Sequence, residues 1–328
     1  MSFKDVLGHP RPIRMLSRAV TNDKVAHSYL FLGNDGIGKR FAALQFAKTL
    51  NCLEGGTENA DACDQCVSCK KMNNSLHPDL LILEPTNQTL KVDQVKRMQR
   101  DLVYRPYEGK KRVCIVTSAD RMAPNMSNIL LKTLEEPPLH TVIVLLASNI
   151  RLVLPTILSR CQVIRFHPLP VPIVSKWLME QKGVIKAEAH LLASLSEGSP
   201  GKALEIREEI REIPREELLK DLVGLRSLSL QKVEYWSESL PSQREALLLI
   251  LEVIKTLLRD LVMVKTVKDR SILLHSDLGK AMEAIAGNWG LSDLLNRMEA
   301  VHQATLAVRR NANTALSLEA MMLSWGEG

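Results

Sequence analysis

The sequence predicts an α/β protein, with a parallel, doubly wound sheet in its N-terminal half and a chain that is helical almost throughout beyond it. Short apolar runs alternate with amphipathic stretches as far as about residue 166. The segment HPLPVP at 167–172 then carries three prolines and no periodicity, which is typical of a linker. Strand signals disappear after it, and apolar residues recur at i, i+3, i+4 and i+7.

Four apolar runs rich in strand-forming residues account for most of the predicted sheet, and a fifth strand is expected to end near Phe166. Strands that are buried on both faces of a parallel sheet show such continuous apolar runs. The four runs are SYLFLG at 28–33, DLLILEP at 79–85, KRVCIVTSA at 111–119 and HTVIVLLAS at 140–148. The predicted helices between them are KRFAALQFAKTLNC, VDQVKRMQRDLVYR and MAPNMSNILLKTLEE.

At 328 residues the chain is long enough for two or three compact units. We expect a first domain over 1–166 and a small helical domain over 167–207, in which glycines separate short helices. A C-terminal helical domain should span 208–328, where the longest periodic stretch is REALLLILEVIKTLLRDLVMV.

The composition is ordinary for a globular protein, with 45% hydrophobic, 24% charged and 4% aromatic residues. A net charge of +6 permits contact with nucleic acid but does not diagnose it. The N-terminal residues lack the apolar core of a signal peptide, and no run approaches the ~18 apolar residues of a membrane span. These features predict a cytoplasmic protein.

The segment GNDGIGKR at 33–40 follows the first predicted strand and opens the first predicted helix. Such a loop binds phosphate through backbone N–H groups that glycines leave accessible, and through a lysine. Gly33, Gly36, Gly38 and Lys39 meet that requirement as candidate nucleotide-binding residues. Arg40 stands where a Ser or Thr hydroxyl would bind magnesium, and a guanidinium has no lone pair for a cation. The interpretation we favour is a degenerate loop retained for its fold, with binding of Mg-ATP in doubt.

A hydrolytic site also needs carboxylates at the end of a neighbouring strand, to hold magnesium and to orient water. Here the strand VCIV continues into Thr117 and Ser118. Asp120 follows two residues later, where we expect its side chain to point elsewhere. Two departures in one site favour loss of hydrolysis.

Four of the six cysteines are clustered in one short segment, as Cys52-x10-Cys63-x2-Cys66-x2-Cys69. Four thiolates complete a closed tetrahedral zinc site, which would be structural because no open position remains. An iron–sulfur cluster or free thiols are the alternatives, and the spacing favours zinc. Cys114 and Cys161 are most simply residues of the core.

The segment TILSRCQVIRF at 156–166 places Arg160 just before the last strand. On composition alone, an arginine here is most simply a surface charge or part of a salt bridge.

Taken together, several motifs resemble the clamp-loader ATPases of bacterial DNA polymerase III, which are AAA+ proteins. They are AHSYLFLGNDGIGKR, the four-cysteine insert, LLKTLEEPP at 130–138 and ILSRC at 157–161. The resemblance covers about the first 205 residues with specific motifs, and the helical remainder only in general character.

This resemblance implies an AAA+ module with a zinc-binding insert, a helical lid, and a C-terminal domain that joins a pentameric collar. The implied partners are the gamma/tau motor subunits, the delta subunit, the sliding clamp, and primed DNA contacted through its phosphates. It also implies that Arg160, flanked by Ser159 and Cys161, acts in trans as an arginine finger in a neighbour's nucleotide site. Where the motor subunit carries a nucleotide-sensing arginine, this chain has Gly201, so the chain resembles a non-motor subunit.

The sequence thus leaves three hypotheses. The favoured one is a non-hydrolysing scaffold, which is a component of the polymerase holoenzyme without ATPase activity of its own. This scaffold would complete a neighbour's nucleotide site and help to load the clamp during replication. The second is a working motor-type ATPase that uses Lys39. The third is a DNA-binding unit that reads sequence, against which the cysteine module lacks a recognition helix and a basic stripe.

Overall fold

The computed structural model describes residues 2–55, 60–85, 92–224, 236, 240–241, 243–267 and 269–325. They divide into two compact units, which are Met1–Pro170 with Ser199–Lys202, and Val171–Gly198 with Ala203–Gly328. The expected three domains, with boundaries after residues 166 and 207, stay a prediction. One helix, Pro200–Glu212, runs across residue 207.

The first unit contains a five-stranded sheet whose strands lie close to the predicted runs. They are β1 (Ser28–Leu32), β2 (Leu80–Leu83), β3 (Arg112–Val116), β4 (Thr141–Ala147) and β5 (Gln162–Arg165). The helices of this unit are α1 (Pro10–Thr21), α2 (Lys39–Asn51), α3 (Val67–Asn73), α4 (Val92–Val103), α5 (Pro124–Glu135) and α6 (Pro155–Leu158).

The strand order is β2-β3-β4-β1-β5, and every pair is parallel. Successive side chains of β1 enter two different cores because a strand alternates its side chains between faces. Tyr29 packs edge-on against Phe46 of α2, with ring centroids 5.2 Å apart, while Leu30 joins a second core with Met98 of α4 and Leu130 of α5. Helices therefore cover both faces, and the predicted doubly wound sheet is confirmed.

Three helices of this unit were not among the sequence predictions: α1, α3 and the single-turn helix α6. Helix α1 begins at Pro10, where a proline fits because the first N–H groups of a helix need no partner within it. Helix α3 follows Cys66 and contains Cys69 of the predicted metal site, and Cys66 caps its N-terminus by accepting a hydrogen bond from the Cys69 N–H. It is only 7 residues long, too short for the periodicity to stand out.

The second unit is helical in the part that the structure describes, as its periodicity predicted. Its helices are α7 (Val171–Lys182), α8 (Lys186–Leu195), α9 (Pro200–Glu212), α10 (Arg215–Gly224), α11 (Arg244–Thr266), α12 (Gly279–Ala286), α13 (Leu291–Arg309) and α14 (Thr314–Ser324). The first three residues of α9, 200–202, belong to the first unit. Among the described helices, none combines the length and the apolar character needed to cross a bilayer.

Candidate nucleotide cleft, cysteine cluster and exposed arginine

The glycine loop lies at the carboxyl end of β1, where parallel α/β sheets bind their ligands. Its shape depends on glycines at both ends. A Cβ on Gly33 would lie 2.4 Å from the carbonyl oxygen of Phe166, and Gly38 begins α2 with a φ of 105°. The structure therefore has the strand–loop–helix arrangement that the sequence predicted for this segment.

Lys39 is buried and its ammonium group faces the loop itself. Its Nζ donates to the carbonyl oxygens of Gly33 and Asn34 and lies 3.5 Å from Asp35 Oδ1. Burial lowers the pKa of Lys39, and the Asp35 carboxylate opposes that shift. The positive charge of Lys39 is thus paired with oxygen atoms of its own loop in this structure.

Arg40 extends across the mouth of the cleft to the carboxyl end of β2, where its guanidinium forms an ion pair with Glu84. Both side chains are about half exposed. The position of a magnesium-binding hydroxyl is therefore occupied by a paired cation. Sequence reasoning gave Glu84 no role, because it follows an apolar strand with nothing to distinguish it from a surface charge.

The end of β3 carries the hydroxyl residues that the sequence indicated. The Thr117 hydroxyl donates its proton to the carbonyl oxygen of Leu83, at the end of the neighbouring strand β2. Asp120 lines the cleft, yet its Oδ2 accepts from the Ser148 N–H, the Ser148 hydroxyl and the Asn149 N–H over 2.6 to 2.9 Å. Burial raises the pKa of Asp120, but these hydrogen bonds outweigh burial and lower it overall. Asp120 is nearer the cleft than the sequence suggested. Its carboxylate accepts hydrogen bonds from the loop after β4.

A segment from 199–202 closes one side of the glycine loop. The Ser199 hydroxyl donates to the Asp35 carbonyl over 2.7 Å, and the Gly201 N–H donates to the Gly36 carbonyl over 2.9 Å. A Cβ on Gly201 would lie 2.7 Å from the Cα of Gly36. Position 201 therefore lacks the arginine and also has no room for one, because the backbone of the glycine loop occupies the space that a side chain would need.

The cleft between the loop and the ends of β2, β3 and β4 has a volume of about 650 Å³. A larger groove of about 950 Å³ lies among the C-terminal helices and is lined by Trp289, Arg297 and Trp325. The smaller cleft is the candidate nucleotide site, because it alone of these two combines a glycine loop, a lysine and a helix N-terminus.

The four clustered cysteines meet in space as the sequence predicted. Their sulfur atoms all lie within 4.8 Å of one another, with 3.6 Å between Cys52 and Cys69 and 3.9 Å between Cys63 and Cys69. Thiolates about 2.3 Å from one tetrahedral ion are about 3.8 Å apart, whereas a disulfide holds its sulfurs at about 2.05 Å. The cluster thus fits a single metal ion.

Backbone N–H groups surround these sulfurs. The Gly55 and Cys63 N–H groups donate to the Cys52 sulfur over 3.0 and 3.3 Å, and the Cys66 N–H donates to the Cys63 sulfur over 3.3 Å. Such hydrogen bonds stabilise thiolates and orient them towards a metal. Cys114 is fully buried in the sheet and Cys161 partly buried, in the core that the sequence proposed for them.

Arg160 lies in the turn between α6 and β5, with its side chain 34% exposed. Its Nη2 forms an ion pair with Glu135 over 2.7 Å, and its Nη1 donates to the Thr156 carbonyl and the Ser159 hydroxyl over 3.0 and 3.2 Å. Its own carbonyl accepts a 2.6 Å hydrogen bond from the Ser28 hydroxyl. The salt bridge considered from composition is therefore present, and Glu135 and Ser28 are partners that the sequence did not identify.

The turn that carries Arg160 and the glycine loop lie at opposite ends of the parallel strands. Strands β1 and β5 are parallel, with Tyr29 opposite Gln162 and Leu32 opposite Arg165. The glycine loop follows the end of β1, whereas Arg160 precedes the start of β5 and is bonded to Ser28 at the start of β1. Residues 28 and 33 are about 16 Å apart along an extended strand. Arg160 is thus remote from the cleft of its own chain.

Comparison with known proteins gives the family. A family model described as "DNA polymerase III, delta subunit" matches residues 8–170. DNA polymerase III subunit delta' of Bacillus subtilis is 30% identical over 328 residues, covering 97% of this chain and 96% of that protein. Subunit delta' of Pseudomonas aeruginosa is 31% identical, covering 92% of each chain. Subunit tau of Escherichia coli is 30% identical over 217 residues, which are 63% of this chain and 33% of tau. With relatives that match along nearly its whole length, the chain belongs to the delta' subunit family of DNA polymerase III.

Proposed function

We propose that this chain is a non-hydrolysing subunit of the clamp loader, which supplies Arg160 in trans to the nucleotide site of an adjacent motor subunit. The observation that carries this proposal is the position of Arg160 at the amino ends of the strands, opposite the cleft at their carboxyl ends. A delocalised cation that is held outward there suits a phosphate presented by another chain. It would stabilise charge that develops on a γ-phosphate.

The cleft of this chain supports the non-hydrolysing half of the proposal. Arg40 is paired with Glu84 where a magnesium ligand is needed, and the Thr117 hydroxyl is bonded to the sheet where a carboxylate is needed. Asp120, the carboxylate at hand, already accepts three hydrogen bonds from the loop after β4. The degenerate loop at Gly33, Gly36, Gly38 and Lys39 then serves mainly to join β1 to α2.

The four cysteines support a structural zinc ion. All four ligand positions of a tetrahedral ion are filled by Cys52, Cys63, Cys66 and Cys69, so no position is left for a substrate. The sulfur separations suit one ion and leave no room for a cluster of several irons.

The proposed partners follow from the relatives. Subunits gamma, tau and delta' of DNA polymerase III share sequence with this chain, so an assembly of such subunits with a delta subunit in a hetero-pentamer is the setting in which Arg160 would meet a nucleotide. That assembly would act on a sliding clamp and on primed DNA. Contacts with DNA would be made to phosphates and would weaken with salt.

The test is the ATP turnover of the assembled complex with its motor and delta subunits. Arg160→Ala should leave assembly intact and remove the part of the turnover that the neighbouring site provides. Arg165→Ala, which removes an exposed arginine from β5, is the matched control and should leave turnover unchanged. Unchanged turnover in Arg160→Ala would refute the proposal.

The second candidate is a motor-type ATPase, and the preserved geometry of the glycine loop around Lys39 is the observation in its favour. Magnesium-dependent hydrolysis by the purified chain, abolished by Lys39→Ala, would establish that function and contradict the one we propose.

A further inference from the structure

The motif LEEPP ends helix α5, and nothing in the proposed function so far uses it. The structure gives one of its residues a specific contact. Glu135, the last residue of α5, holds the guanidinium of Arg160 through an Oε1–Nη2 distance of 2.7 Å. The two motifs ILSRC and LEEPP, which are 25 residues apart between these positions, are thus joined by a side-chain contact.

The contacts of Arg160 restrain different parts of the residue. Ser28, buried at the start of β1, donates to the backbone carbonyl and fixes the position of the turn. Thr156 in α6 and Ser159 in the turn that follows it accept from Nη1. Glu135 comes from a separate helix and acts on Nη2. The direction of the guanidinium is therefore set by α5 as well as by its own turn.

We infer that Glu135 is a positioning residue for Arg160, and that it keeps the guanidinium in the orientation in which a neighbouring subunit's nucleotide meets it. This inference rests on the proposed function, because it concerns how the same arginine is positioned. Glu135 itself would touch no phosphate and would act through Arg160.

An exposed arginine explores many rotamers, and binding a phosphate through it requires that this freedom be lost. A guanidinium has five N–H donors, of which the contacts with Glu135, Thr156 and Ser159 use three. The others are left for a phosphate. Ordering the side chain beforehand lowers the cost of forming the trans contact when the two subunits meet.

The ion pair between Arg160 and Glu135 is also weak enough for a phosphate to replace it. The side chains of Arg160 and Glu135 are 34% and 50% exposed, and exposed pairs are screened by solvent. A doubly charged phosphate can share or take over Nη2 without a large penalty. A fully buried pair would instead hold the arginine against its target.

The experiment measures ATP turnover in the complete complex at saturating ATP, for Glu135→Ala, Arg160→Ala and the double variant. The matched control is Glu136→Ala, which removes the same charge from the next residue, also exposed at the end of α5. Glu135→Gln is a second variant, which keeps the shape and an acceptor oxygen. Size-exclusion chromatography and thermal unfolding of each variant report on assembly and folding.

We expect Glu135→Ala to lower the Arg160-dependent part of the turnover about two- to fivefold, the range of an exposed ion pair. Glu135→Gln should recover part of this loss, and Glu136→Ala should match the wild type. In the Arg160→Ala background, Glu135→Ala should have no further effect, because a positioning residue has nothing left to position.

Three outcomes would overturn the inference and leave the proposed function in place. Wild-type turnover in Glu135→Ala would show that the contact is unimportant, and increased turnover would show that Glu135 restrains the arginine from acting. An equal loss in the Arg160→Ala background would show a general structural effect. If Arg160→Ala itself leaves turnover unchanged, the proposed function fails together with the inference. Loss in Arg160→Ala without loss in Glu135→Ala removes the inference alone.

Discussion

Gly201 and Gly36 meet backbone to backbone, with the N–H of Gly201 donating to the carbonyl of Gly36 over 2.9 Å. A Cβ on either residue would lie less than 3.0 Å from backbone atoms of the other's segment. The glycine loop thus carries the segment 199–202 as part of its own unit. The two glycines explain why the cleft has this shape, and why a nucleotide-sensing side chain cannot be introduced at position 201 without moving the loop.

Gly201→Ala should destabilise the protein by about 1–3 kcal/mol, because the added methyl group overlaps the backbone of Gly36, which cannot rotate away. Urea unfolding of the full chain measures the change. Gly287→Ala is the control, since a Cβ there meets nothing within 4 Å and the residue has ordinary helical dihedrals. Equal stability of the two variants would contradict the close contact.

Arg40→Thr restores the hydroxyl of a phosphate-binding loop, and we expect no magnesium-dependent ATP hydrolysis from this variant. Thr117 and Ser118 still provide no carboxylate at the end of β3, and the charge of Asp120 remains committed to Ser148 and Asn149. Turnover of the purified variant is the measurement. Hydrolysis above that of Lys39→Ala would mean that a single substitution had disabled the site.

Metal analysis of the purified chain should give one zinc ion, and its removal by a chelator should unfold the segment that carries the four cysteines. Buried Lys48 of α2 binds Asp64 over 2.5 Å and Asn73 over 3.0 Å, so this segment is tied to α2 next to the sheet. Hydrogen exchange of residues 60–73 should therefore accelerate more than that of β3.

Cys66→Ser should lose the metal, whereas Cys161→Ser, outside the cluster, should retain it. Iron in place of zinc, or no metal in a fully reduced sample, would contradict the assignment.

The C-terminal unit should lose stability as the pH falls from about 6.5 towards 4, through His275. Burial, followed by the charge of Arg215, lowers the pKa of His275 to about 4. Arg215 can only donate, so it bonds to an unprotonated Nδ1, and Nε2 carries the proton towards Thr256. Folding therefore favours the neutral ring.

In the unfolded chain the His275 ring takes up a proton near pH 6.5, whereas in the folded chain it does so near pH 4. The stability that His275 contributes is therefore fully present above pH 6.5 and is lost as the pH falls towards 4. The expected loss is about 2 kcal/mol between pH 7 and pH 5. The difference in unfolding free energy between the wild type and His275→Gln measures it. Loss of the same size in His275→Gln would assign the effect to other groups, and an NMR titration of the His275 ring in the wild type checks the pKa directly.

Local pattern was enough to predict much of the first unit. The strands were located because strands buried on both faces must be apolar throughout, as in the fully buried β4. The cysteine cluster was predicted because ligands from one short segment reach a common ion whatever the rest of the fold does. The departures at Arg40, Thr117 and Ser118 were equally visible, since they concern residue types at known positions in a motif.

Tertiary structure decided the relationships between distant segments. The contact between Glu135 and Arg160 joins two motifs that the sequence keeps apart, and the closeness of Gly36 and Gly201 joins segments separated by most of the chain. Asp120 lies beside the cleft only because the loop after β3 turns it towards Ser148. The sequence by itself determined which groups this protein possesses, through local spacing and composition. The parallel pairing of β1 with β5 decided where those groups lie, because it places the glycine loop at the carboxyl ends of the strands and Arg160 at their amino ends.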